Sequence, residues 1–102
     1  MKNYRNRAIL EFAKDAPKCF RCGMENDPTV VACHSNAIID GHGAGLKAHD
    51  CVAFLCSTCH AYIDQNWKQP GVQEEFYHSV YFSMVWLLQT SRIAAQGPPY
   101  LD

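Results

Sequence analysis

The chain has 102 residues, of which 48% are hydrophobic, and a formal net charge of −1. This size is typical of a single domain, and no apolar run approaches the roughly 20 residues that cross a membrane. The first 16 residues are charged and lack the apolar core of a secretory signal. The six cysteines therefore favour metal ligation in a reducing cytoplasm over a secreted disulfide scaffold.

The basic side chains are concentrated at the N-terminus. Residues 1–21 carry six basic and two acidic side chains, whereas the remainder carries three basic and eight acidic ones. Residues 3–14 have apolar side chains at helical spacing and arginines on the other face, which predicts an amphipathic helix. Arg5 and Arg7 are therefore candidates for contact with the phosphates of a nucleic acid. A solvated helix face without a partner is the alternative.

Two CxxC pairs, Cys19/Cys22 and Cys56/Cys59, form the most specific motif of the chain. Thirty-three residues separate the pairs. Two residues between paired cysteines let the backbone turn both sulfurs toward one ion, and structural zinc takes four thiolates at about 2.3 Å in tetrahedral geometry. We predict that these four cysteines bind one structural Zn²⁺. Free or disulfide-bonded thiols are the alternative.

The segment between the two CxxC pairs predicts two strands joined by a loop. Residues 29–33 are rich in β-branched side chains and end before His34, and residues 51–55 form a second apolar run. Three glycines between positions 41 and 45 give the loop low bulk. Cys33 and Cys51 have no partner at CxxC spacing, so they are interpreted as buried strand thiols.

A helix is predicted from about residue 57 to residue 66, with Ser57 or Thr58 as its cap. His60 lies in the first turn of this helix, and Asp64 follows four residues later on the same face. An imidazole and a carboxylate at this spacing can share one divalent cation. A histidine that caps the helix or supports the zinc ligands, and a solvated carboxylate, are the alternatives.

A long helix is predicted over residues 72–93, and a tail over residues 94–102. The core stripe of this helix consists of Phe76, Val80, Met84, Leu87 and Leu88. Phe82 and Trp86 lie outside that stripe, so one buried face cannot cover all the apolar side chains. We predict that this surplus either packs beneath the N-terminal helix or forms the contact of a symmetric homodimer.

The order of these motifs resembles that of the HNH, or ββα-metal, nucleases that carry a four-cysteine zinc support. More closely, residues 29–65 are similar to a prophage-encoded, YbcO-like family of predicted nucleases. The segments that carry the resemblance are Ala32-Cys33-His34-Ser35-Asn36, Gly41-His42-Gly43-Ala44-Gly45-Leu46-Lys47, Lys47-Ala48-His49-Asp50, Leu55-Cys56-Ser57-Thr58-Cys59-His60, Ile63-Asp64-Gln65 and Trp86-Leu87-Leu88. The resemblance implies one domain, 1–102, with an α+β fold. A small zinc-stabilised ββα-metal (HNH/treble-clef-like) finger at 19–67 would be flanked by an N-terminal helix within 1–18 and the long C-terminal helix.

The resemblance also implies an activity, the hydrolysis of DNA phosphodiester bonds by an endonuclease in the cytoplasm of a bacterial host cell. In HNH nucleases the histidine that ends the strand is the general base, which corresponds to His34. The histidine after the second CxxC pair is a metal ligand, which corresponds to His60. Mg²⁺ or another divalent ion would bind His60 and Asp64, and Asp50 would orient His34. Lys47 is a further candidate for contact with phosphate.

The sequence departs from the HNH pattern at two positions. Cys33 stands where an acidic metal ligand usually precedes the base. The middle asparagine of the motif is absent, and Asp50 or Cys51 occupies approximately its place. These departures favour a second hypothesis, in which the chain is a non-catalytic zinc module that binds nucleic acid or protein through the same finger.

Overall fold

Two short antiparallel strands, β1 (Val31–His34) and β2 (Val52–Leu55), lie at the centre of the fold. The computed structural model describes residues 6–36 and 51–93. The register pairs the first residue of β1 with the last residue of β2. Every residue of β2 is buried, whereas β1 is only partly buried. β2 is therefore the inner strand of the pair, and the core is built around it.

In residues 6–36 and 51–93, three α-helices surround the hairpin: α1 (Arg7–Glu11) precedes it, and α2 (Ser57–Gln65) and α3 (Val72–Gln89) follow it. The predicted small α+β fold is thus confirmed. Within the described ranges, no helix has both the length and the apolar character needed to cross a membrane. The predicted tail at 94–102 lies outside the described residues.

The first helix begins later than predicted. Asn6 has an extended backbone, and its side-chain oxygen accepts a hydrogen bond from the Ala8 N–H at 3.1 Å. Asparagine in this position caps a helix, so α1 starts at Arg7; residues 3–5 of the predicted helix lie outside the described part of the chain. The helix continues as a 3₁₀ turn over Phe12–Asp15, before Pro17.

The second helix has a cap that the sequence did not reveal. Cys56 is the N-cap residue and makes no side-chain cap bond, so neither Ser57 nor Thr58 fills the predicted role. Instead, the Thr29 hydroxyl accepts a hydrogen bond from the Ser57 N–H at 3.0 Å. The same hydroxyl donates to the Asp27 carboxylate at 2.5 Å. The segment before β1 therefore satisfies the first N–H of α2.

The outer edge of β2 is closed by two different parts of the chain. The Phe54 N–H donates to the hydroxyl oxygen of Ser83 on α3, at 3.0 Å, and the Phe54 carbonyl accepts from the Phe20 N–H, at 3.0 Å. Ser83 in turn donates to the Ser79 carbonyl at 2.7 Å. α3 thus lies along the strand edge, and small side chains at the contact let the two backbones approach.

This contact changes the predicted core stripe of α3. The buried residues of the helix are Val72, Phe76, Ser79, Ser83 and Leu87. Leu88, which was predicted to belong to the stripe, is 46% exposed. The inner face of α3 is therefore rotated toward its serines, because they meet the edge of β2 and Leu88 does not.

The ends of α3 follow from backbone conformation. Gly71 adopts a left-handed φ of 83°, so the helix begins at Val72, as predicted. The helix ends at Gln89 rather than at residue 93, because Ser91 has a left-handed φ of 58°. The Arg92 N–H then donates back to the Leu87 carbonyl at 2.9 Å, as in a common helix-terminating turn.

The two aromatic residues outside the predicted stripe have different environments. The Trp86 ring packs at 6.0 Å from the ring of Phe20 and at 5.8 Å from that of Phe54, the latter edge to face. Phe82 is 53% exposed. Trp86 therefore packs on the first CxxC turn and on β2, whereas Phe82 remains at the surface. The predicted homodimer contact stays a prediction.

Candidate metal centres

The two CxxC pairs converge on one point between the hairpin and α2. The sulfur atoms of Cys19, Cys22, Cys56 and Cys59 all lie within 4.8 Å of one another. The Sγ atoms of Cys22 and Cys56 are 3.9 Å apart, close to the separation of about 3.8 Å that follows from tetrahedral Zn–S bonds of about 2.3 Å. The four thiols thus form the predicted cluster, and their number and spacing fit a structural Zn²⁺.

Each CxxC pair is held by backbone hydrogen bonds typical of a metal-binding turn. In the first pair, the Gly23 N–H donates to the Cys19 carbonyl at 2.9 Å, and the left-handed φ of Gly23, 79°, permits this turn. In the second pair, the His60 N–H donates to the Cys56 carbonyl at 2.9 Å. Because α2 begins directly after Cys56, a bound ion would fix the start of that helix relative to the hairpin.

The four thiols differ in exposure, and the pKa values of Cys19 and Cys59 are shifted in opposite directions. Burial alone would raise the pKa of Cys19, but backbone hydrogen bonds from Cys22, Cys56 and Arg21 outweigh it and lower the pKa to about 7. Burial, together with neighbouring thiols, raises the pKa of Cys59 to about 12. Cys22 is exposed, whereas the other three are buried. The hydrogen bonds at Cys19 thus favour its thiolate, the form in which cysteine binds a metal ion.

Arg21 links the four-cysteine cluster to α3. Its Nη1 donates to the Cys59 sulfur at 3.3 Å, and its Nη2 lies 3.5 Å from the Glu75 carboxylate. The guanidinium also stacks over the Tyr62 ring at 4.1 Å. Four thiolates around a divalent ion carry a net charge of −2, so one nearby guanidinium offsets part of that charge.

A second group of ligand atoms lies at the end of β1. Cys33, His60 and Asp64 present one sulfur, one ring nitrogen and one carboxylate oxygen, all within 4.8 Å of one another. His60 Nε2 lies 3.2 Å from Asp64 Oδ2, and Asn36 Nδ2 donates to Asp64 Oδ1 at 3.0 Å. We refer to Cys33, His60 and Asp64 as the second cluster. Their placement shows that His60 and Asp64 share a helix face. It also adds two residues that sequence reasoning missed, Cys33 as a candidate ligand and Asn36 as the hydrogen-bond partner of Asp64.

The predicted base is adjacent to the second cluster in sequence but is not a member of it. His34 is the last residue of β1 and pairs with Val52. Because successive side chains of a strand leave opposite faces, the faces of His34 and Cys33 differ. The role of His34 as general base stays a prediction.

The remaining predicted site residues fall into two groups. Arg7 is exposed at the first position of α1. Asp50, Lys47 and Arg5 lie outside the described residues, so their predicted roles are not tested.

Comparison with known proteins identified no relative: no family model matches the chain, and neither the curated proteins nor the solved structures compared with it gave a match. The described part of the chain is therefore established as a small α+β domain with a four-cysteine cluster suited to zinc, while its likeness to nucleases rests on its motifs alone.

Proposed function

We propose that the protein is an HNH-like, metal-dependent endonuclease that hydrolyses phosphodiester bonds of DNA. The observation that carries this proposal is the second cluster. It combines the end of a hairpin strand with the first turns of the following helix, the two elements that a ββα-metal site uses. A purely structural zinc finger has no need of a second ligand group at this position.

The two clusters suit different tasks. A zinc ion with four thiolates has no vacant coordination position, whereas three protein ligands leave one for water or substrate. The second cluster offers three ligands, and its carboxylate is held by Asn36. The four cysteines would thus support the fold, and the second cluster would supply the open metal position that hydrolysis requires.

The donor set of the second cluster also bears on the metal. Thiolate ligands select softer ions than Mg²⁺, and imidazole suits zinc and other transition metals. Cys33 would therefore shift the preference of the site from Mg²⁺ toward Zn²⁺ or a similar divalent ion. When bound, such an ion supplies stabilisation of the negative charge that develops on the phosphate.

The chain supplies the remaining chemistry through its own side chains. As the general base, the His34 ring, which leaves β1 on the face opposite Cys33, must reach a water beside the second cluster, where an imidazole nitrogen would take the proton from that water. Asn36 orients Asp64 through its 3.0 Å hydrogen bond, and Asp64 lies 3.2 Å from the His60 ring. The Asn36–Asp64–His60 chain would preorganise two metal ligands before the ion binds.

Nicking of supercoiled plasmid tests the proposal. The parent protein should cut with added Mg²⁺, Mn²⁺ or Zn²⁺, and His34→Ala should lower the rate by about 10²–10⁴-fold, the usual contribution of a general base. His60→Ala should instead weaken binding of the divalent ion, so that activity falls and excess metal partly restores it. The matched control is His78→Ala, since His78 is an exposed histidine of α3 outside both clusters. Undiminished cutting by His34→Ala would refute the assigned mechanism.

A non-catalytic zinc module that binds nucleic acid or protein is the second candidate, and one observation favours it. The Asp64 carboxylate contacts both Asn36 and His60, and a purely structural polar network pairs its side chains in the same way. If the parent protein cuts no nucleic acid with any divalent ion, this second function replaces the first.

A further inference from the structure

A groove of about 460 Å³ lies between the first CxxC turn and the C-terminal half of α3. One wall is formed by residues 17–23 and the other by Phe82, Val85, Trp86 and Gln89. Its volume falls in the range of small-ligand sites, roughly 300–1,000 Å³. We call it the knuckle groove. Its lining includes Cys19 and Cys22 of the four-cysteine cluster, but no residue of the second cluster.

We propose that the knuckle groove binds an unpaired nucleobase, stacked on Phe82, with the adjoining phosphate bound by Lys18. This inference rests on the proposed function in one respect, because it takes nucleic acid to be the partner of the protein. It adds a substrate class, nucleic acid with single-stranded character.

The aromatic residues of the groove single out Phe82 as the stacking surface. Trp86 is already engaged: the Arg92 guanidinium lies 4.6 Å from the centre of its ring, and Phe20 and Phe54 pack against it. Phe82 lines the same groove and is 53% exposed, and its ring meets that of Tyr81 edge to face with 5.4 Å between the ring centres. An exposed ring beside a groove is the arrangement on which single-stranded nucleic acids stack their bases.

One exposed cation favours an occupant that carries a phosphate over an apolar peptide. The lining of the groove contains two basic side chains, Lys18 and Arg21, two thiols of the four-cysteine cluster, Cys19 and Cys22, and no carboxylate. Arg21 is committed to Cys59 and Glu75. Lys18 is exposed, and within residues 6–36 and 51–93 no carboxylate lies at ion-pair distance from its ammonium group. A free ammonium beside an exposed ring matches a phosphate beside its base.

Fluorescence anisotropy with a labelled twelve-nucleotide oligothymidylate tests the inference. Its affinity is compared with that of a duplex of the same length, which should bind more weakly. Base–aromatic stacking contributes about 1–3 kcal/mol per base, so Phe82→Ala should weaken binding by roughly 5- to 150-fold. Phe82→Leu should lose most of the same affinity, because it keeps apolar bulk without a ring. Leu88→Ala is the control, since Leu88 is an exposed α3 side chain outside the groove.

Salt dependence tests the phosphate contact separately. Lys18→Ala should lower the slope of log affinity against log salt by about 0.7, the value for one phosphate contact on a single strand. Lys68→Ala should leave the slope unchanged, since Lys68 is exposed and does not line the groove.

Three results would overturn the inference. The first is the absence of oligothymidylate binding, and the second is full affinity in Phe82→Ala or in Phe82→Leu. The third is a parent protein that self-associates through Phe82 in sedimentation experiments without binding DNA, which would make the groove a contact between copies of the chain. Oligothymidylate binding without plasmid nicking would support the groove proposal and refute the proposed nuclease activity. Plasmid nicking without oligothymidylate binding would support the nuclease activity and refute the groove proposal.

Discussion

Replacing Cys22 with serine tests the four-cysteine site with little disturbance of packing, because Cys22 is exposed while Cys19, Cys56 and Cys59 are buried. Structural zinc in small fingers contributes about 10–16 kcal/mol at neutral pH. That figure equals or exceeds the whole stability of a typical domain, about 5–15 kcal/mol. Shared equally among four ligands, the loss of one thiolate costs about 2.5–4 kcal/mol and lowers the Tm by roughly 10–30 °C.

The assay combines metal analysis with thermal unfolding of the purified protein. The parent should carry at least one zinc per chain, and Cys22→Ser should lose zinc to a weak chelator that leaves the parent loaded. Cys51→Ser is the matched control, because Cys51 is a half-buried cysteine that belongs to neither cluster. The reasoning fails if Cys22→Ser retains its zinc and its Tm, or if Cys51→Ser is equally damaging.

Two further substitutions test contacts that position the sites. Ser83→Ala leaves the Phe54 N–H without its partner and should cost about 1–3 kcal/mol in denaturant unfolding, whereas Ser79→Ala should cost less, because its hydroxyl bonds only a carbonyl of its own helix. Thr29→Val removes the hydroxyl that caps α2 and should cost about 0.5–2 kcal/mol, while Thr29→Ser should be close to the parent; equal stabilities would contradict the capping role. The Thr29 side-chain and backbone hydrogen bonds lower the pKa of Asp27. The stability that this shift provides is present above the unfolded pKa of about 3.9 and is lost as the pH falls through the lower folded value. Thr29→Val removes the side-chain part of the shift, so the variant should lose less stability than the parent below about pH 4.

The features that could be predicted from sequence are those with a local signal. The CxxC spacing predicts which four cysteines converge, and the left-handed glycine before Val72 follows a Gln-Pro step that already indicates a break. The i, i+4 spacing of His60 and Asp64 predicts their contact. Each of these inferences depends on residues a few positions apart, where backbone geometry alone decides the outcome.

The contacts that could not be predicted join distant parts of the chain. Thr29 caps α2 from 28 residues away, Asn36 reaches Asp64 across 28 residues, and Phe54 meets Ser83 across 29. No periodicity encodes such pairs. The burial of Ser83 was missed for a related reason, since a stripe drawn by hydrophobicity passes over a small polar residue that lies against a strand edge.

The second cluster was incompletely predicted for the same reason, because it joins residues that are distant in sequence. Cys33 was interpreted as a buried strand thiol, and it is buried, but burial and ligation are compatible when the neighbouring ligand atoms lie on the facing helix. Recognising this from sequence required knowing which face of β1 meets α2. The end of α3 was misplaced because Ser91 adopts a conformation that usually signals glycine.

The closure of the β2 edge also bears on self-association. An uncovered strand edge is a template onto which a second chain can add a strand. At Phe54, β2 satisfies both outward hydrogen bonds within the molecule, and one partner, Phe20, belongs to the first metal-binding turn. The metal site would therefore shield a strand edge as well as cross-link the fold. A chain that loses its ion would expose that edge to neighbouring chains, so that metal loss would also promote aggregation.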